Sequence, residues 1–199
     1  MDERFYKQSD ALLTAFDQVA NSNSHLLRAP KEEGNLKERF QRYVASECFE
    51  KALRESDLQR DWENLHTHDE NCNPVPLPGR CYTGDPVKFL EPLGPEEFRS
   101  ELKQRLNSGP CWYDTRYPES EVSRVVDEFL EYFPVDGVVM PVAPDFLFLV
   151  DGTRFGETQD EPKPGVSEPL GFFDGCGADV CRTWLSNDRL LVLLLNGSS

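Results

Sequence analysis

The sequence predicts an α+β protein: about four N-terminal helices packed with a small, mostly antiparallel C-terminal sheet. Three observations predict it. Apolar residues recur at helical spacing through the first two-thirds of the chain. Prolines and glycines interrupt that pattern over 66–95. After Gly137 the apolar residues gather in short runs of strand formers. The reading is one domain over 1–199, with a helical region over 1–136, a proline-rich wrapping loop 66–95 within it, and a sheet-forming region over 137–199.

The first helix rests on Phe5, Leu12, Leu13, Phe16, Val19 and Ala20, and Asn21-Ser-Asn-Ser ends it. A short helical turn over Ser24–Arg28 is expected before Pro30. Asn35 with Glu38 three residues later forms a capping-box pattern. From it runs one stripe of Leu36, Phe40, Tyr43, Val44, Cys48, Ala52 and Leu53, continuing toward Leu58, Trp62 and Leu65. This puts Cys48 on a buried face.

Pro74, Pro76, Pro78, Pro86, Pro92 and Pro95 exclude long helices from 66–95. The segment keeps Val75, Leu77, Tyr82, Val87, Phe89 and Leu90, more large apolar side chains than a flexible linker carries. It therefore reads as an ordered loop lying over the helices. Proline opens each of the next two helices. One starts at Pro95 and buries Phe98, Leu102 and Leu106; the other starts near Pro118 and buries Val122, Val125, Val126, Phe129, Leu130 and Phe133.

The runs Val138–Val142 and Phe146–Val150 predict strands, and 152–171 predicts a loop. Arg182-Thr-Trp-Leu, Ser186-Asn-Asp and the run from Arg189 predict a hairpin. The last run is apolar on both faces and predicts a central strand, with helices covering one side. Phe40, Val44, Phe129 and Leu193 are expected in the core.

The formal charge is −15, from 36 acidic and 21 basic residues. This excludes ordinary nucleic-acid binding, which needs surplus Lys and Arg to neutralise phosphates. It also opposes attraction to anionic lipid. No apolar run is long enough for a membrane helix. The acidity is even along the chain: 10 basic against 15 acidic residues over 1–70, 7 against 12 over 71–137, and 4 against 9 over 138–199. It thus marks the whole surface and not a tail. Thirteen Phe, six Tyr and three Trp supply a core, so global disorder is not expected. Met1-Asp-Glu-Arg-Phe-Tyr-Lys lacks the apolar core of a secretion signal. The expectation is a cytoplasmic protein whose six cysteines are reduced.

One set of metal-ligating side chains is concentrated: His66, His68, Cys72 and Cys81. Imidazole and thiolate suit tetrahedral zinc, and the ion would order a proline-rich loop. The spacing matches no zinc framework, and a polar loop with unrelated cysteines explains it more simply. The expectation is that no cofactor is bound, with zinc as the one possibility. Cys176 and Cys181 flank a glycine-rich turn without redox spacing. No nucleophile elbow, dinucleotide fingerprint or phosphate-binding loop occurs.

Trp112, Tyr113 and Arg116 form an aromatic cluster between two predicted helices, and Glu157, Asp160 and Glu161 an acidic loop. These two groups are the candidate partner contacts. The functional expectation is a non-enzymatic binding protein of inhibitor, immunity or adaptor type that docks on a basic protein surface. The alternatives are a zinc-dependent protein or enzyme built on His66, His68, Cys72 and Cys81, and a structural subunit of a homo-oligomer or viral assembly. The acidic composition resembles that of small inhibitors and immunity proteins, with no motif that assigns a role to any residue.

Overall fold

A computed structural model describes residues 3–20, 22–60, 65–76, 80–81, 87–108, 117–143, 169–170 and 179–197. In chain order the elements are α1 (Glu3–Ala20), β1 (Ser22–Arg28), α2 (Leu36–Val44), α3 (Glu47–Gln59), β2 (His66–His68), β3 (Pro74–Pro76), β4 (Arg80–Cys81), α4 (Pro95–Ser108), α5 (Glu119–Tyr132), β5 (Val139–Val142), β6 (Pro169–Leu170), β7 (Val180–Ser186) and β8 (Arg189–Gly197). The predicted strand over 146–150 lies outside the described residues.

The fold is α+β. Its centre is a four-stranded antiparallel sheet of order β1-β8-β7-β5. Interior strand β8 is apolar on both faces because both are covered. Leu191, Leu193 and Leu195 pack with Leu12 and Phe16 of α1, Phe98 of α4, and Val126 and Phe129 of α5. Leu190, Val192 and Leu194 point the other way, toward Phe40 and Val44 of α2 and Phe49 and Leu53 of α3. The expectation of helices on one side is thereby corrected to helices on both. Trp184 of β7 fills the centre of the first layer, with its ring 5.3 Å from Phe98 and 6.2 Å from Phe129. The expected core residues Phe40, Val44, Phe129 and Leu193 are all buried.

Residues 22–28 form strand β1 and not a helical turn. They pair with β8 from Ser22↔Gly197 to Arg28↔Leu191. Leu26 joins one core layer and Leu27 the other. Two adjacent leucines fit either period, and the strand partner decides between them.

The long second helix is also two helices. The capping box at Asn35 and Glu38 forms as expected, with 3.1 Å for each of its reciprocal bonds. Gly34 enters it at φ +115, and a Cβ there would lie 2.9 Å from Glu38 Oε2. Helix α2 stops at Val44, and Ser46, extended at φ −98 and ψ 153, opens α3. The Ser46 hydroxyl donates to the Tyr43 carbonyl at 2.6 Å. The break rotates the following stripe, so that Phe49 meets Tyr43 edge-on at 5.4 Å while Cys48 is exposed. Burial of Cys48, expected from an unbroken stripe, is therefore corrected.

Part of the proline-rich segment closes the sheet as well as lying over a helix, with Phe89 edge-on to Phe40 of α2 at 5.8 Å. Residues 88–93 run antiparallel to β5, bridging Phe89 to Val142 and Leu93 to Val139. Leu90 N–H donates to the Pro141 carbonyl at 2.9 Å. The amide edge that Pro141 lacks faces this irregular strap and not β7, so the proline removes no bond from the central ladder. At the other end, Asn187 and Asp188 turn β7 into β8 with φ of 49 and 61. Both are residues that tolerate the left-handed conformation of a tight hairpin.

Candidate functional site

The expected partner contacts Trp112, Tyr113, Arg116, Glu157, Asp160 and Glu161 lie outside the described residues. Three of the four expected zinc ligands are described with their side chains, and they serve different ends. His66 is buried, with Nδ1 3.1 Å from Asp57 Oδ2 on α3. His68 is exposed. Cys72 is exposed at φ 62 in the turn between β2 and β3. Asp69 organises that turn, accepting from the Asn71 and Asn73 amides at 2.8 Å each. The Asn73 bonds hold its carboxyl below the usual carboxylate range. Cys81 is described only through its backbone in β4, which pairs parallel with β6. Among the described residues no group of three or more His, Cys, Asp or Glu is placed to hold a metal.

The chemistry-bearing cluster that the structure does assemble centres on α3. Stripe positions after Leu53 are taken by Ser56 and Asp57, both buried. Ser56 Oγ lies 2.8 Å from Nδ1 of His25, which projects from β1. Asp57 accepts from the Leu65 amide at 3.0 Å as well as facing His66. One turn on, Arg60 holds Asp17 of α1 and lies 3.2 Å from Asp10. Asp17 also accepts from the Ser24 amide at 2.9 Å. The cluster thus ties α1, β1, α3 and β2 together through side chains.

A serine, a histidine and an aspartate are present here, but their wiring is wrong for nucleophile activation. The aspartate faces a different histidine from the one beside the serine. Burial, with the Arg60 charge second, lowers His25 to about 3, so the imidazole is neutral and weakly basic at pH 7. Ser56 is only 1% exposed, too buried for a substrate to reach. The cluster is a structural clip. The signal for it in the sequence was two polar residues on an otherwise apolar helical stripe.

Elsewhere many of the arginines and lysines are held by the protein's own acids. Arg39, 3% exposed, reaches Asp188 in the β7–β8 turn at 3.2 Å, and Lys31 meets the same carboxylate at 2.6 Å. The Lys31 and Arg39 bonds lower the Asp188 pKa. Arg182 of β7 grips Glu101 of α4, with Nε at 2.9 Å. Burial opposes ionisation of Glu101, yet the Arg182 and Arg105 contacts bring its pKa below the ordinary value. Arg99 and Lys103 share Asp127 across α4 and α5.

A cleft of about 760 Å³ opens between the strap and α4, lined by Lys37, Phe89, Leu93, Glu97, Glu101 and Arg182. Exposed Leu90 and Glu91 stand at its rim. Comparison with models of protein families, with curated proteins and with solved structures found no match. Among the described residues no helix is long and apolar enough to cross a membrane.

Proposed function

We propose that the protein is a cytoplasmic, non-enzymatic binding protein of inhibitor, immunity or adaptor type that docks on a basic protein surface. The carrying observation is the disposition of charge. A chain of net −15 commits Arg39, Arg42, Arg54, Arg60, Arg99, Arg105, Arg124 and Arg182 to its own carboxylates. Exposed acids such as Glu33, Glu47, Glu70, Glu91, Glu119 and Glu131 then dominate what a partner meets. Such a surface accelerates encounter with a basic partner, and short-range contacts decide how long the complex lasts. Trp112, Tyr113 and Arg116 are the proposed anchors, with Glu157, Asp160 and Glu161 steering.

The test is kinetic. A basic protein captured by cross-linking in the native host is purified and its binding followed by stopped flow. The association rate should fall about ten-fold or more between 0.05 and 0.5 M salt, while dissociation changes little. Amide replacement of Glu157, Asp160 and Glu161 should slow association, and Trp112→Ala should speed dissociation. Association indifferent to salt and to the amides would sink the reading. Stoichiometric zinc in the purified protein, lost with Cys72→Ser and Cys81→Ser, would favour the metal-dependent alternative.

A further inference from the structure

The helix break on the α2–α3 side brings an exposed thiol near a buried hydroxyl. Cys48, the second residue of α3, is exposed. Tyr43, at the end of α2, is only 3% exposed, and its hydroxyl has no hydrogen-bond partner among the described residues. Along one continuous helix, side chains five residues apart are separated by about 140° and face apart. The break at Ala45 and Ser46 re-aims α3, so that Phe49, next to Cys48, packs its ring on Tyr43 at 5.4 Å. After burial, the charges of Cys48 and then Tyr6 are what raise the Tyr43 pKa, which puts the hydroxyl within electrostatic reach of the thiol.

This arrangement suits an oxygen anion carried on the Cys48 sulfur. The raised pKa keeps the Tyr43 phenol protonated and so a donor. A buried donor without an acceptor is costly, and an acceptor placed beside it removes that cost. A thiol sulfur accepts hydrogen bonds weakly, whereas an oxygen bonded to it accepts them well. The first turn of α3 supplies backbone N–H groups to the same place. Ser46 stands at the N-cap without a side-chain cap bond, because its hydroxyl turns to the Tyr43 carbonyl at 2.6 Å. The 13-residue helix also directs the positive end of its dipole there.

We infer that Cys48 is a site of reversible oxidation by a hydroperoxide, at which the Tyr43 hydroxyl and the N-terminus of α3 hold the sulfenate that forms. The thiolate sulfur attacks the distal peroxide oxygen, and an S–O bond forms as the O–O bond breaks. Sulfur gives up two electrons, the peroxide is reduced to water or an alcohol, and the proton of the transferred oxygen ends on the leaving oxygen. A small thiol restores the cysteine through a mixed disulfide, with loss of water. A free sulfenate is short-lived, because it condenses with thiols or oxidises further to sulfinate. Donors fixed around its oxygen spread its charge and slow both reactions. The thiol itself reacts as an open cysteine; the site acts on the oxidised product. It is separate from the acidic docking surface and stands without it.

The purified protein is treated with equimolar hydrogen peroxide, quenched with catalase and sampled over time with dimedone, which traps sulfenate. Peptide mass spectrometry reads Cys48 and Cys72 separately, the latter being a second exposed cysteine. Trapping at Cys48 should persist about ten-fold longer than at Cys72, as charge-assisted hydrogen bonds to the oxygen imply. Tyr43→Phe keeps the ring on Phe49 and removes only the hydroxyl. It should shorten the Cys48 sulfenate lifetime about five-fold, the loss of one such bond, and leave the alkylation rate of the reduced thiol unchanged. Where circular dichroism shows that this variant does not fold, Ser46→Asp takes its place. Its carboxylate caps the amides, repels the anion and should shorten the lifetime likewise. Equal lifetimes at Cys48 and Cys72 overturn the inference. So does the absence of a dimedone adduct at Cys48, or a lifetime unchanged in the folded variant.

Discussion

On the α1–α4–α5 side of the sheet, the polar side chains buried among the described residues are the hydroxyls of Ser9, Ser22, Ser24 and Ser186. Each is neutral, and Ser9 bonds back to its own helix at 3.2 Å. On the α2–α3 side the protein buries His25, Arg39, Ser56, Asp57 and His66. One face is held by aromatic packing around Trp184, and the other by packing plus groups that can change charge. The difference divides the stability of the molecule. The first face should respond mainly to side-chain volume, its titrating groups Glu101 and Asp17 being only partly buried, whereas the second should respond strongly to both.

The largest effect should come from Trp184→Ala. It removes a fully buried ring with two aromatic neighbours and the bond to the Phe133 carbonyl. A loss of about 4–5 kcal/mol is expected by chemical denaturation, similar at pH 7 and pH 5. A loss below about 2 kcal/mol would mean that the aromatic layer is not what holds this face.

Asp57→Ala should cost about 3 kcal/mol, since it strands the Leu65 amide and the His66 ring nitrogen in a buried site. Asp57→Asn, which keeps an acceptor, should recover part of that. A cost under about 1 kcal/mol for the alanine variant would show that water or another group takes over, and that the clip is dispensable.

Next comes the pH dependence of His25. Its folded pKa of about 3 lies below the ordinary 6.5, so the unfolded chain takes up a proton first as the pH falls. The histidine therefore favours folding fully above about pH 6.5 and progressively less down to about pH 3. Relative to pH 7, about 2 kcal/mol should be lost at pH 4.5 from this group alone. Asp17 acts in the opposite sense: burial raises its pKa despite Arg60 and Ser24, so the folded state gains its proton more readily. The useful measurement is the difference between wild type and His25→Gln across pH, in which Asp17 cancels. A variant with the same slope as wild type between pH 6.5 and 4.5 would remove His25 as the cause.

These effects fall on regions of the molecule that were unequally legible in the sequence. Helices α4 and α5 could be read directly, because proline sets their start and one unbroken stripe sets their buried face. The β7–β8 hairpin was legible from Asn187-Asp188 between apolar runs. Strand β1 was not, since Ser22–Arg28 is polar at all but Leu26 and Leu27 and owes its conformation to β8, far away in the chain. The α3 cluster was hidden for a similar reason. His66 stood out as a metal ligand, yet the group it faces, Asp57, sits on another element at a spacing that no motif encodes.

The smallest effect tests the point where the two helices on the charged face part. An unbroken helix from Asn35 would place Cys48 one turn after Val44, in the core. The break at Ala45 and Ser46 places Phe49 there instead and leaves Cys48 in solvent. Cys48→Ser should therefore change stability by no more than about 0.5 kcal/mol. Cys181→Ser is the contrast, because that thiol is fully buried on β7 among apolar neighbours. A hydroxyl there should cost about 1–3 kcal/mol if it finds no acceptor. Reactivity should divide in the same way. Cys48 should be labelled by a thiol reagent in the native protein at the rate of an open cysteine. Cys181 should wait for unfolding, since burial both shields it and raises its pKa against thiolate formation. Slow labelling of Cys48, or a cost for Cys48→Ser matching that of Cys181→Ser, would restore the single continuous helix.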